Sequence, residues 1–132
     1  MIQLTSHPNL SYQPGWVGRF QLLVNYLPDG NPVSIPVQMI CGERPGPRVV
    51  VLAGVHGDEL EGVRAVQSLM TEIDPAQLAG TLLLIPVVNV MAFNACARRS
   101  PLDNVDLNRV FPGNPGGSIS EQLAHPLCHG LL

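Results

Sequence analysis

Charge is scarce in this sequence: only 13% of its 132 residues are Asp, Glu, Lys or Arg. Seven basic against ten acidic side chains leave a formal charge of -3, which gives no electrostatic footprint for nucleic acid. A membrane-surface role is equally unsupported. The longest apolar run, residues 82–93, is interrupted by Pro86 and Asn89 and falls short of the roughly 20 residues that a spanning helix needs. The opening stretch Met1-Ile2-Gln3-Leu4-Thr5-Ser6-His7-Pro8 lacks the basic segment and apolar core of a signal peptide. The three cysteines, Cys41, Cys96 and Cys128, are odd in number and without C-x-x-C spacing, which fits reduced thiols better than a disulfide framework. There are no internal repeats or low-complexity tracts. The expectation is a soluble, cytoplasmic protein with neither nucleic acid nor membrane as a partner.

What is present is a chain that is 45% hydrophobic and of a length that fits one domain with a real core. Residues 1–45 are rich in turn formers, with Pro14-Gly15, Pro28-Asp29-Gly30 and Asn31-Pro32 as breakers. Between them, residues 20–26 and 33–40 read as two strands joined at the Pro-Asp-Gly turn, so a small β-hairpin is expected beside the main sheet. From Arg48 the pattern changes. Residues 49–53 and 81–88 are continuous apolar runs, as expected of strands covered on both faces. Between them Leu60, Val63, Val66, Leu69 and Met70 fall at mostly helical spacing, which predicts a helix over residues 59–71 with Asp74-Pro75 as its stop. A strand, helix, strand unit defaults to a parallel pair with a right-handed crossover. The expected fold class is therefore α/β: a mainly parallel sheet with flanking helices over residues 46–132, preceded by an N-terminal hairpin segment over residues 1–45.

Residues 94–117 are long and polar for a connection, of the kind that is usually functional or disordered. After them, Ser118-Ile119-Ser120-Glu121 reads as a capping box opening a final helix with Leu123, Ala124, Leu127 and Leu131 inward. Pro126 should kink that helix or end it early.

Two constellations carry chemistry. The first apolar run ends in Gly54-Val55-His56-Gly57-Asp58-Glu59, which places a histidine and a carboxylate three residues apart where a strand gives way to a helix. Ligand sites collect there in open α/β sheets. A neutral imidazole and a carboxylate are good Zn²⁺ ligands, and catalytic zinc commonly takes three such ligands plus a water. His56 and Glu59 would be two of the three. The plainer reading is a glutamate favoured by the helix macrodipole, with a histidine satisfying a nearby carbonyl. The second constellation is Asp106-Leu107-Asn108-Arg109-Val110-Phe111-Pro112-Gly113, preceded by Arg98-Arg99-Ser100-Pro101-Leu102-Asp103. Arginine binds carboxylates through two parallel charge-assisted hydrogen bonds, and an adjacent asparagine adds a donor and an acceptor. Such a cluster suits a carboxylate-bearing substrate; its plainer reading is a loop stapled by Asp106 to a neighbouring arginine.

Gly-Val-His-Gly-Asp-Glu followed about 50 residues later by Asp-Leu-Asn-Arg-Val-Phe-Pro-Gly closely resembles the succinylglutamate desuccinylase/aspartoacylase family, a branch of the zinc carboxypeptidase superfamily. The resemblance runs from about Val49 to the end of the chain. It implies a zinc-carboxypeptidase-like fold, with His56 and Glu59 as the first two zinc ligands and Asn108 with Arg109 binding the substrate carboxylate. It also implies that Arg98 or Arg99 polarises the scissile carbonyl, and Arg99 is preferred as the nearer to the motif. The implied activity is zinc-dependent cleavage of the amide bond of a small N-acyl amino acid.

The family's third zinc ligand, a histidine in an Asp-Leu-His segment, and its catalytic glutamate lie in segments that this sequence does not contain. The chain thus reads as the N-terminal portion of a longer enzyme, expected to be inactive as 132 residues alone. His125, Cys128 and His129 contain metal-binding side chains at close spacing, but nothing in the sequence aims them at the sheet's carboxyl end. Two alternatives stand beside the deacylase: a carboxypeptidase-like peptidase of the same superfamily, and a non-catalytic α/β fragment. A fragment would expose sheet edge and apolar surface, so a homo-oligomer is the natural remedy.

Overall fold

The computed structural model describes residues 2–131. Its strands are β1 (Gln3–Thr5), β2 (Val17–Tyr26), β3 (Pro32–Cys41), β4 (Arg44–Leu52) and β5 (Ala79–Ile85). The helices are α1 (Leu60–Glu72), the short α2 (Val90–Asn94) and α3 (Ile119–His129), with single 3₁₀ turns at Pro75–Gln77 and Leu107–Arg109. The strands form one sheet in the order β1-β2-β3-β5-β4.

The strand, helix, strand unit is present as expected: α1 carries the chain from β4 to β5, and the two strands pair in parallel, with Val49 opposite Leu82 and Val51 opposite Leu84. The hairpin is also present. The Leu27 and Gly30 amides donate to the Asn31 and Leu27 carbonyls at 2.8 and 2.9 Å, and Gly30 takes a φ of 86° that a side chain would resist. In one respect the architecture differs from the expectation. β3 pairs antiparallel with β5, so the hairpin continues the main sheet rather than flanking it, and the sheet is mixed rather than mainly parallel. The physical reason lies in β3, whose last five residues are all buried; a strand covered on both faces must also have its backbone groups paired, and β5 supplies the partners.

Alternation along the strands then sorts the core into two layers. Val33, Ile35, Val37, Met39 and Cys41 of β3 and Leu83 and Ile85 of β5 face one side, where Leu107 and Leu123, Ala124 and Leu127 of α3 cover them. Ile40 and Leu84 face the other side and pack with Val63 and Val66 of α1. α3 opens with the expected capping box, in which the Ser118 amide donates to Glu121 Oε2 at 2.7 Å and the Glu121 amide to Ser118 Oγ at 3.4 Å. Pro126 does not end the helix, which runs on to His129; what the proline removes is the N–H that would bond the Gln122 carbonyl. Among the described residues no helix is long and apolar enough to cross a membrane.

Leu107, in the middle of the second sequence motif, is fully buried in the layer beneath α3. It pins the loop to the core. Leu107→Ala is expected to lower unfolding stability by about 2–5 kcal/mol, read as a shift of the urea midpoint; a midpoint unchanged from the parent chain would show that the loop is not anchored there.

Candidate metal and substrate site

Beyond Leu52 the chain stays registered on its neighbour for two more residues: the Ala53 amide donates to the Ile85 carbonyl, and the Ala53 and Gly54 carbonyls accept from Val88 and Asn89. Gly54 then turns with φ 68°, which delivers His56 to the carboxyl end of the parallel pair. Gly57 packs so closely on the backbone of the segment after β5 that any side chain there would collide with the carbonyls of Ala92 and Ala97. Only glycine lets the turn lie this flat. Glu59 is the N-cap of α1, yet its side chain makes no capping hydrogen bond, so its carboxylate is left free to face His56.

His56 is buried, at 6% exposure, between two carboxylates. Its Nδ1 lies 3.0 Å from Glu59 Oε1 and its Nε2 lies 2.9 Å from Asp106 Oδ1. Arg98 Nη1 reaches Glu59 Oε1 at 3.2 Å. The two carboxylates are not equivalent, because the Glu59 side chain is 60% exposed and that of Asp106 only 12%. Asp106 also caps the Leu107–Arg109 turn, its Oδ1 accepting the Asn108 amide at 3.0 Å. The hydrogen bond from His56 is the main cause that holds the Asp106 carboxyl below its usual range, against a partial burial that pushes it up; the Asn108 amide and the nearby Arg98 charge act in the same direction as His56.

A neutral imidazole carries one N–H, so it can satisfy only one of these acceptors. The better shielded one is Asp106, where the bond is stronger in the lower local dielectric. With the proton on Nε2, Nδ1 would present a lone pair towards the Glu59 carboxylate, and a cation held between the two would replace the second proton. Imidazole nitrogen and carboxylate oxygen are zinc donors, and 3.0 Å is a separation that two bonds of about 2.0–2.2 Å to one ion can span. The donor set therefore fits zinc with two ligands. Among the described residues no group of three His, Cys, Asp or Glu side chains converges on one point, and His125 and His129 line a different cavity.

Asn108 and Arg109 follow Asp106 on the same 3₁₀ turn, both exposed, and the Arg109 amide donates to the Asp106 carbonyl at 3.0 Å. The residue that holds His56 thus also shapes the turn that presents this pair. Arg99 is exposed and, among the described residues, makes no ion pair, whereas Arg98 is the arginine in contact with Glu59. The loop is stapled by Asp106 as its plainer reading had it, but to His56 rather than to an arginine. Sequence reasoning missed that partner. Its one signal was an aspartate two residues before a backbone amide that it caps, which marks a turn but says nothing about a histidine 50 residues away.

Comparison with known proteins follows the same residues. The succinylglutamate desuccinylase/aspartoacylase catalytic domain matches residues 45–130. N-alpha-acetyl-L-2,4-diaminobutyric acid deacetylase from Halomonas elongata is 41% identical over 93 residues, which is 70% of this chain and 27% of that protein. Among solved structures, the product-bound ectoine utilization protein EutE (DoeB) from Ruegeria pomeroyi superimposes with a TM-score of 0.83 at 32% identity, over 94% of this chain and 38% of the other. A succinylglutamate desuccinylase from Silicibacter sp. TM1040 gives 0.81 at 31% identity with the same coverage. The chain spans well under half the length of each of these relatives. With both motifs inside the matched span, this chain belongs to the succinylglutamate desuccinylase/aspartoacylase family.

Proposed function

We propose that residues 46–132 are the N-terminal part of the catalytic domain of a zinc-dependent deacylase that cleaves the amide bond of an N-acyl amino acid, with His56 and Glu59 as metal ligands. The observation that carries this reading is the placement of His56 between Asp106 and Glu59. A metal-ligating histidine almost always donates its other ring N–H to a carboxylate, a carbonyl or water, which fixes its tautomer and orientation; Asp106 stands in that position. When bound, zinc supplies Lewis acidity that polarises a carbonyl and makes water nucleophilic near neutral pH.

The chain's own residues do the rest. Asp106 holds the His56 proton at Nε2. Asn108 and Arg109 bind the substrate carboxylate, the guanidinium by its fork of parallel donors. Arg98 pairs with Glu59, whereas Arg99 makes no ion pair among the described residues; of the two we assign to Arg99 the stabilisation of the negative charge that develops on the scissile carbonyl oxygen. The substrate class is supported by the Halomonas relative, named for deacetylating an N-acetylated amino acid. We place the protein in the cytoplasm, where its three free cysteines would stay reduced. Self-association through the outer edge of β4, where Val49 and Leu52 are exposed, completes the proposal.

Zinc titration followed at the His56 ring resonances tests the ligand assignment. Zinc is expected to shift them, the shift to vanish in Glu59→Ala, and Asp106→Asn to bind about 10–100-fold more weakly. A His56 ring that ignores zinc, or an Asp106→Asn chain that binds as tightly as wild type, contradicts the assignment.

Kinetics test the rest. With two ligands and no general base assigned among its residues, the 132-residue chain is expected to show no zinc-dependent hydrolysis of N-acetyl or N-succinyl amino acids above its His56→Ala variant, general acid–base assistance alone being worth about 10²–10⁴-fold. In any longer form that does turn over, Arg109→Lys should keep the charge, lose the bidentate geometry and raise KM. Turnover by the short chain, or unaltered KM in the Arg109→Lys variant, would show the corresponding claim to be wrong.

A further inference from the structure

Three of the chain's four histidines lie away from His56. His7, His125 and His129 line one cavity of about 400 Å³ between the N-terminal segment, β2 and the C-terminal half of α3, with Val24, Gln122 and Pro126 in its wall. His125 and His129 are four residues apart on one helix, which puts them on the same face, and their ring centroids are 4.4 Å apart.

Each ring is already half prepared for a ligand. His129 Nδ1 lies 3.1 Å from the His125 carbonyl oxygen. A carbonyl can only accept, so the bond puts the His129 proton on Nδ1 and leaves a lone pair on Nε2. This is the arrangement in which a ligating histidine is fixed by a backbone carbonyl. His125 Nδ1 is buried and has no hydrogen-bond partner among the described residues, a deficit that an ion can explain.

We infer that His125 and His129 form a two-imidazole chelate for a divalent first-row transition-metal ion, separate from the His56 site. Two histidines at i and i+4 on one helix face are a known metal-binding spacing. Imidazole suits copper, nickel and zinc, and affinity follows the order in which copper binds more tightly than nickel or zinc. Bound by the pair, the ion would give His125 Nδ1 the partner it lacks. No third His, Cys, Asp or Glu among the described residues converges with the pair, so solvent fills the remaining coordination positions.

The test uses the 132-residue chain with Ni²⁺ in a calorimeter and Cu²⁺ in an EPR tube. The double variant His56→Ala/Glu59→Ala is expected to keep the nickel site and an EPR spectrum with two imidazole nitrogens. His129→Ala, whose ring is exposed and whose loss leaves the core untouched, should weaken nickel binding by at least the roughly 10–100-fold that loss of an outer-shell partner costs. His125→Gln, checked for an unchanged far-UV spectrum, should do the same. No nickel uptake by the wild-type chain, an affinity indifferent to both histidine replacements, or uptake that disappears with His56 and Glu59 would overturn the inference.

Discussion

Fifty residues of chain separate His56 from Asp106, and the 2.9 Å hydrogen bond between them is the joint on which the site depends. One carboxylate does three things there. It accepts from the His56 ring, it accepts the Asn108 amide, and it is immediately followed by Leu107, which is fully buried. Because the bond is shielded from solvent while Glu59 is largely exposed, its pull on the imidazole proton is the stronger. The strand-end motif and the loop motif are therefore one unit. Disturbing the turn at Leu107–Arg109 would disturb the ring of His56 as well.

That joint is held by layers that meet at β5. The strand is hydrogen-bonded on both sides, antiparallel to β3 and parallel to β4, and its alternate residues feed both core layers. The site sits where β4 and β5 end, at the start of α1. There the helix dipole favours the carboxylate of Glu59, and the unused capping position leaves that carboxylate available to a cation. Packing thus positions the groups and electrostatics sets their protonation; neither would suffice alone.

Much of this was legible in the sequence, for identifiable reasons. β5 and α1 are local patterns: an unbroken apolar run for a buried strand and near-helical spacing for an amphipathic helix. β4 forms where its apolar run indicates, but it is the edge strand and none of its residues is fully buried, so its run marked a strand and not one covered on both faces. The capping box at Ser118 is equally local and is realised in its expected place. What was not legible is pairing across distance. Nothing in residues 33–40 says that β3 will lie against β5, so the hairpin was expected beside the sheet, and the three residues of β1 are too few to carry a period. In the site, His56 and Glu59 stood out because they are close in sequence, but the Asp106 partner and the engagement of Arg98 rather than Arg99 with Glu59 arise only when the loop folds back onto the turn that precedes α1.

The central claim is that Asp106 fixes the His56 tautomer so that Nδ1 is the metal-facing nitrogen. Long-range ¹H–¹⁵N correlation of the His56 ring, recorded where the ring is neutral and again with zinc added, tests it most directly. The account predicts a protonated Nε2 and a bare Nδ1 in the neutral ring, with the zinc-induced change concentrated at Nδ1. A neutral ring protonated at Nδ1, or a zinc effect confined to Nε2, would contradict it.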